Sequence, residues 1–497
     1  MNKIFRKVNQ KIGLLWGEEM LKFINGGVIL ILSSFATGVL NYLYHLLMGR
    51  LLGPNDYGIL SSLISLLYIF SVPMGTFSLV VTRFAADQTK NKEFFQKTKG
   101  KVELFSLFWF LLLIAFTPII ATFLHLKFLF PIILINLSLA ISFLNVFGRA
   151  ILQGLLQFTF LALSGIWETG LKLVLAFFLV YYLNWQIIGA VSSLVIATTL
   201  GYFLIKYFLK KEFSSEVSQN TTVFSPGLMA SSLSPQVVST ASSLLNRQGH
   251  SKGKISKELW DFILPVFFFT LSFTLLYNID IVLARHFLSF QEAGWYGALS
   301  TIGRIIYFLV GPLASVFFPM AVKKKIRGQT SNQLFIFSLS LTFIIAFVIT
   351  LFYFLFPNLI MKVFYGAKFL PAAGYLGFFG LFLSFYSLAY FLGSFFLSQG
   401  IYQIVVVFPL MVVFLQVILI VIFHHNIFQI LAVSVFACGL LFLLFLLYYF
   451  LRITSSPPVE GRKLLGGSAS FLPHSSPPQD RRDILRRKIK RQLFFKK

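Results

Sequence analysis

The chain has 497 residues, of which 57% are apolar and only 12% charged, about half the charged fraction of a soluble protein, which excludes a soluble enzyme. Its 42 Lys+Arg against 16 Asp+Glu leave a net charge of +26, a balance that in a soluble chain signals nucleic-acid binding. Here the basic residues lie between long runs of Phe, Leu, Ile and Val, so the composition is that of a polytopic membrane protein with no nucleic-acid partner, and the lone Cys438 rules out an intramolecular disulfide or a Cys-based zinc site.

Residues 1–22 mix charged and apolar side chains and lead straight into a full-length span, without the short apolar core and small-residue cleavage site of a signal peptide. They read as a cytoplasmic leader, either an amphipathic helix on anionic lipid or a solvated tail. About 20 apolar residues cross the ~30 Å hydrocarbon core as a helix. Twelve such stretches follow. Six run from Phe23 to Met48, Tyr57 to Val81, Leu104 to Leu124, Phe128 to Phe147, Phe160 to Leu183 and Gln186 to Phe208. Six more run from Leu259 to Leu283, Gly294 to Val322, Phe335 to Phe356, Ala373 to Leu397, Tyr402 to Phe423 and Ile427 to Leu451. The expected fold is all-α, with about twelve transmembrane helices.

Alternating connections put 35 of the 42 basic residues on the side of the N-terminus and five (Arg50, Lys127, Arg285, Lys362, Lys368) on the other. Basic loops stay in the cytoplasm, which predicts both termini there in a cell (inner or plasma) membrane. The connections on the far side are too short to fold into a domain, and no P-loop, His/Glu metal pattern or paired-carboxylate site occurs. No catalytic residue, metal or cofactor is assigned; the chain is expected to move something rather than to react with it.

Residues 210–257 are rich in Ser, Thr, Asn, Gln and Gly and read as a flexible cytoplasmic linker. It separates an N-terminal lobe, 23–209, from a C-terminal lobe, 258–451, with six spans each, as in a transporter built from a duplicated half. Placing Gly58 on Gly294 aligns the turn after the first span with the turn after the seventh and brings Arg50 and Arg285 within one position. The second helix of each half carries an internal proline, Pro73 or Pro312, either a hinge or a static bend. The tail, 452–497, collects twelve basic residues, which favours tethering to anionic lipid.

The stretch Arg50-Leu51-Leu52-Gly53-Pro54-Asn55-Asp56-Tyr57-Gly58, followed by a helix ending at Thr82-Arg83-Phe84, resembles the opening of the polysaccharide-biosynthesis or O-antigen flippase family. So does Asn278-Ile279-Asp280-Ile281-Val282-Leu283-Ala284-Arg285, continuing to Ala293-Gly294-Trp295-Tyr296. The family belongs to the multidrug/oligosaccharidyl-lipid/polysaccharide exporter superfamily. The resemblance implies two six-helix lobes around a central cavity that opens alternately to each face, a lipid-linked sugar as substrate, and polysaccharide-assembly proteins as partners. Where the lipid II flippases carry cavity arginines in the first span, this chain has only Asn41 and His45; where drug exporters carry an acidic cation site, it has only Glu168 deep in the first half.

Ionisable side chains deep in a span are costly and point to a cavity or a partner. Lys172 in the fifth span and Arg304 in the eighth fall near mid-length, from opposite lobes, as cations for a lipid pyrophosphate would. Glu168, four residues before Lys172, is either its structural partner or part of the same cavity. Asp280 near the outer end of its span caps or pairs locally, or takes part with Arg285 and Arg50 in gating or ion coupling. His45 and His424-His425 read as interfacial, and Asp261 likewise. Three functions remain: a flippase for lipid-linked oligosaccharide, an ion-coupled multidrug exporter, or a non-transporting membrane scaffold for polysaccharide assembly.

Overall fold

The structure, a computed structural model, describes residues 18–85, 91–126, 128–215, 257–326 and 332–455. Residues 1–17 of the expected leader, 216–256 of the linker and 456–497 of the tail lie outside the described residues, as does Lys127. Contacts divide the chain into a large unit, Met1–Tyr448, and a terminal unit, Tyr449–Lys497. The architecture below is that of the large unit.

The described residues are helical almost throughout, with no strand among them. Ten stretches are long and apolar enough to cross a membrane. One of them, Leu32–Thr82, has 51 residues, about twice the length one crossing needs. It lies in α1 (Glu18–Ala85), which breaks at Gly53 (φ 73, ψ 179). A positive φ is open to glycine at no steric cost, and Pro54 starts the second arm with a fixed φ and no N–H to satisfy. His45 and Tyr57, twelve residues apart, meet side chain to side chain, whereas a straight helix would hold them about 18 Å apart. The two arms therefore lie side by side, and α1 supplies the first and second spans. Counting both arms, and adding the apolar part of α8 (Phe290–Ile326), gives twelve crossings.

The first half continues with α2 (Asn91–Phe123), α3 (Phe130–Gly154), α4 (Phe158–Phe177), a π-helical turn (Phe178–Tyr182) and α5 (Gln186–Ser215). In the second half, α6 (Lys257–Leu276) and α7 (Ile279–Phe287) precede α8, followed by α9 (Asn332–Leu355) and the short α10 (Pro357–Phe364). A 3₁₀ segment (Ala367–Tyr375) then leads into α11 (Leu376–Ser398), α12 (Tyr402–Ile422) and α13 (Ile427–Ser455). Two expected spans differ in detail. The seventh is broken at Tyr277-Asn278 into α6 and α7. The connection between the ninth and tenth, expected as a short loop, is folded into α10 and the 3₁₀ segment.

Within the first half α1 packs on α3 and α4, and α5 on both of those; within the second, α8 and α9 pack on α11, and α6 on α12. The halves meet chiefly through α1 against α8, with α6 and α7 beside them. Their crossing uses small residues, which let helix backbones approach closely in a membrane. A Cβ on Gly58 would stand 2.8 Å from the Gly294 nitrogen, and one on Gly294 only 1.8 Å from the Pro54 carbonyl oxygen. Gly58 and Gly294 are the two positions that the sequence alignment of the halves equates. Symmetry-equivalent residues touch only where they flank the axis relating them, so the repeat axis runs beside this crossing.

Continuous burial along the crossing is confined to its Gly53 end, and further along buried and exposed residues alternate. In α1 Leu60 to Ser65 are buried and Leu66 to Ser71 half-buried; in α8 Tyr296 to Gly303 are buried, Arg304 and Ile305 half-buried, and Phe308 and Leu309 exposed. The halves are thus joined backbone to backbone on the Gly53 side.

Candidate functional site

Below the glycine crossing, three nitrogen-bearing side chains converge. Lys172, on α4, donates from Nζ to Asn41 Oδ1 of α1 and lies 4.5 Å from the Tyr44 ring centroid. Arg304, on α8, donates from Nη2 to the Tyr277 carbonyl oxygen (3.0 Å) and to Asn278 Oδ1 (2.9 Å). Its guanidinium lies 4.8 Å from the Tyr277 ring and 5.9 Å from the Tyr68 ring of the first half. His45 stands within electrostatic range of both cations. The structure thus brings Lys172 and Arg304, one from each half, within electrostatic range of one imidazole.

The break between α6 and α7 positions Arg304. A helix interrupted at membrane depth frees carbonyls that need donors from neighbouring helices. Leu276 O receives Gln416 Nε2 of α12 (3.1 Å), and Tyr277 O receives Arg304. Arg304 therefore has a structural task, and its Nε has no hydrogen-bond partner among the described residues.

Glu168 is not the partner of Lys172. It pairs instead with Arg149 of α3, Nη2 to Oε2 at 2.5 Å, both side chains about one-fifth exposed (20% and 21%). Arg149 lies beyond the expected end of the fourth span at Phe147 but within α3, which continues to Gly154. A guanidinium presents a planar fork to a carboxylate that an ammonium cannot, and Arg149 also reaches Ser164 O (3.3 Å). Lys172 makes its direct contacts with a neutral amide and an aromatic face, and Glu168 acts on it only through space.

Asp280 neither caps its helix visibly nor pairs with Arg285. It is fully buried and accepts a hydrogen bond from the Tyr296 hydroxyl (2.7 Å). Its Oδ1 has no partner among the described residues. Arg285 is 2% exposed, lies 3.8 Å from the Phe290 ring, and has no hydrogen-bond partner for Nε or Nη2 among the described residues; Asp56 of the first half is the carboxylate acting on it. Arg50 is exposed and donates to the carbonyls of Val363 and Phe364. Pro73 lies within the unbroken second arm of α1. Pro312 lies on the backbone of α8, its side chain outside the described residues, and the side chains of Asp261 and Arg83 lie outside them too. Among the described residues, no group of three His, Cys, Asp or Glu side chains is placed to hold a metal.

A family model described as polysaccharide biosynthesis protein matches residues 23–325. The chain belongs to that family. The match runs from the first arm of α1 into α8, so it covers both the glycine crossing and the Lys172–His45–Arg304 cluster. No curated protein sequence matches the chain. Among solved structures, the chain is similar to an inward-facing multidrug resistance MATE family transporter of the MOP superfamily: TM-score 0.61, 16% identity, covering 86% of this chain and 99% of that one. An outward-facing structure of such a transporter scores 0.51 at 16% identity, covering 86% and 97%. A MOP superfamily transporter from Pyrococcus furiosus scores 0.53 at 16% identity, covering 86% and 95%. The fold is that of MOP superfamily transporters, with two six-helix lobes about a central cavity.

The cluster contains a residue, His45, to which the sequence reading gave no site role. Its Nδ1 lies 3.2 Å from the Tyr57 hydroxyl, which also meets Thr301 Oγ1 (2.9 Å) and the Tyr365 hydroxyl (2.9 Å). A signal was present, since Asn41, Tyr44 and His45 fall at helical spacing on one face of the first span. His424, by contrast, is an end residue, stacked 4.1 Å from Phe287.

Proposed function

We propose that this member of the polysaccharide biosynthesis family carries lipid-linked oligosaccharide from the cytoplasmic to the outer leaflet by alternating access, without chemistry. The observation that carries the reading is the pair Lys172 and Arg304, one cation from each half, both within electrostatic range of the same His45. A polyprenyl-linked pyrophosphate sugar brings an anionic head group that two cations can hold, Arg through two parallel hydrogen bonds. Because the cations belong to different lobes, an anion between them is bound by whichever arrangement keeps both near it, and so biases the lobes' positions.

The excess of basic residues on the side of the termini supports a cell-membrane orientation with both termini cytoplasmic. The space away from Gly53 then faces the cytoplasm, where such precursors are made. The basic tail of residues 452–497 would attract anionic lipid, and assembly proteins for polysaccharide are its natural partners. The test is leaflet exchange of an undecaprenyl-type or dolichyl-type sugar lipid in liposomes containing the purified protein. Acceleration by the parent and slowing by Arg304→Ala is expected; normal exchange in that variant removes Arg304 from the account, and no exchange in the parent removes the reading.

Ion-coupled drug export is the second reading. It is favoured by Asp280, a buried carboxylate with no ion-pair partner among the described residues. It predicts drug resistance that Asp280→Asn abolishes, with no build-up of sugar lipid when the protein is absent.

A further inference from the structure

The short helix α10 ends in a way that requires the other half of the molecule. A helix leaves its last four carbonyls without intrahelical partners. Met361 O accepts from the Tyr365 nitrogen (2.9 Å) and the Gly366 nitrogen (3.1 Å), and Lys362 O also accepts from Gly366 (3.1 Å). That turn is open because Gly366 takes φ +90, a left-handed conformation that suits glycine. The two remaining carbonyls, Val363 O and Phe364 O, accept from Arg50 Nη2 and Nε, the latter at 2.9 Å. Arg50 belongs to the first arm of α1, so a guanidinium of the first half completes a helix of the second, at the end where the helix dipole favours a cation.

Residues just beyond α10 make a second contact. The Tyr365 hydroxyl meets Tyr57 at 2.9 Å, and its ring lies so close to α1 that a Cβ on Gly49 would stand 2.3 Å from Tyr365 Cε1. The far part of the segment is held by its own half, with Trp295 Nε1 of α8 donating to Lys368 O (2.9 Å).

We propose that residues 357–375 form a gate on the Gly53 side, carried by the second half and latched to the first by Arg50 and Tyr57. This rests on the alternating access of the proposed function and specifies what must break to open the Gly53 side. The latch is built to release. Arg50 is exposed, so water replaces both partners of its bonds. Tyr57 bonds Tyr365 and Thr301 of the second half when closed, and keeps His45 of its own half when they withdraw. His45 also stands beside the cations, so the latch and the anion site share one side chain.

The test reads opening without any substrate. In a Cys438→Ala background, Ser65→Cys provides a reporter: Ser65 is 1% exposed on α1 beneath Tyr57. Labelling from the Gly53 side by a membrane-impermeant maleimide should be slow in the parent. It should rise about tenfold with Arg50→Ala, the population change that one or two charge-assisted hydrogen bonds can hold. Arg50→Lys should rise less, because an ammonium reaches one carbonyl at a time. Conversely, a reducible bifunctional thiol reagent joining Asn55→Cys to Lys368→Cys, with bridging confirmed by mass, should suppress labelling and transport until the bridge is reduced. Equal labelling in Arg50→Ala and parent, both eluting as single folded species, overturns the gate. So does full transport by the bridged protein, which serves even if Arg50→Ala does not fold. Labelling that answers to Arg50 in a protein that moves no sugar lipid would keep the gate and discard the substrate.

Discussion

The contact between the halves has two regions of opposite chemistry. On the Gly53 side, Gly58 and Gly294 bring backbones together with no side chain between them, and Gly297 leaves the room that the Ser61 side chain occupies. A few turns further, the facing residues become Tyr68 and Arg304, with His45 and Lys172 beside them, and burial is no longer continuous. At that glycine contact there is little tolerance of added volume, because backbone meets backbone. The second region is polar and rich in donors. A transporter that rocks two lobes needs both properties: a close fit that defines one end state, and a site whose occupancy can change the balance.

The largest expected effect separates these regions. Gly294→Val should prevent the crossing from closing, since even a Cβ meets the Pro54 carbonyl at 1.8 Å; overpacking of this kind costs about 1–3 kcal/mol or more and should lower the Tm clearly. Gly303→Ala, further along α8, where the nearest atoms are ordinary contacts at 3.5 Å, should leave Tm nearly unchanged. Similar losses for the two would mean that the glycine crossing is not special.

Next comes the charge pair that sequence reading misassigned. Arg149→Gln strands a half-buried Glu168, and loss of one partner of such a bond costs about 1–3 kcal/mol. The double variant with Glu168→Gln should recover part of that, which thermal melts in a double-mutant cycle would show. A Lys172→Gln variant with unchanged stability but exchange of sugar lipid slowed about tenfold would separate the cluster from this structural pair; one kcal/mol-scale contact to a charged group is enough for that factor. Loss of coupling between Arg149 and Glu168 would return Glu168 to the cavity.

The smallest effect concerns Asp280. Tyr296→Phe removes the hydroxyl that Asp280 accepts from and should cost about 1–2 kcal/mol, read as a fall in Tm. Asp280→Asn should cost less, because an amide carbonyl still accepts from Tyr296. The reverse order would show that the carboxylate has another, stronger partner.

Much of this architecture was legible because hydrophobic length is a strong signal. Twelve spans and two halves follow from apolar run lengths, and the pairing of Gly58 with Gly294 from a turn pattern that recurs after the first and seventh spans. The candidate site was legible only in its cations. Lys172 and Arg304 stood out because charge inside a span is costly; Tyr57, His45 and Tyr365 did not, because tyrosine and histidine are ordinary at span ends. The α10 gate was invisible, since eight residues between two spans look like any loop and their function depends on an arginine some three hundred positions earlier.

By itself, then, the sequence determined that the chain is a membrane protein of about twelve spans, because every helix must carry its own apolar length across the bilayer and that requirement is local. The tertiary structure decided which charges are partners. Glu168 turned from Lys172, four residues away, to Arg149, nineteen residues away, because a fork on a neighbouring helix fits a carboxylate better than an ammonium on the same one. Partner choice depends on packing between helices, and no local pattern records it.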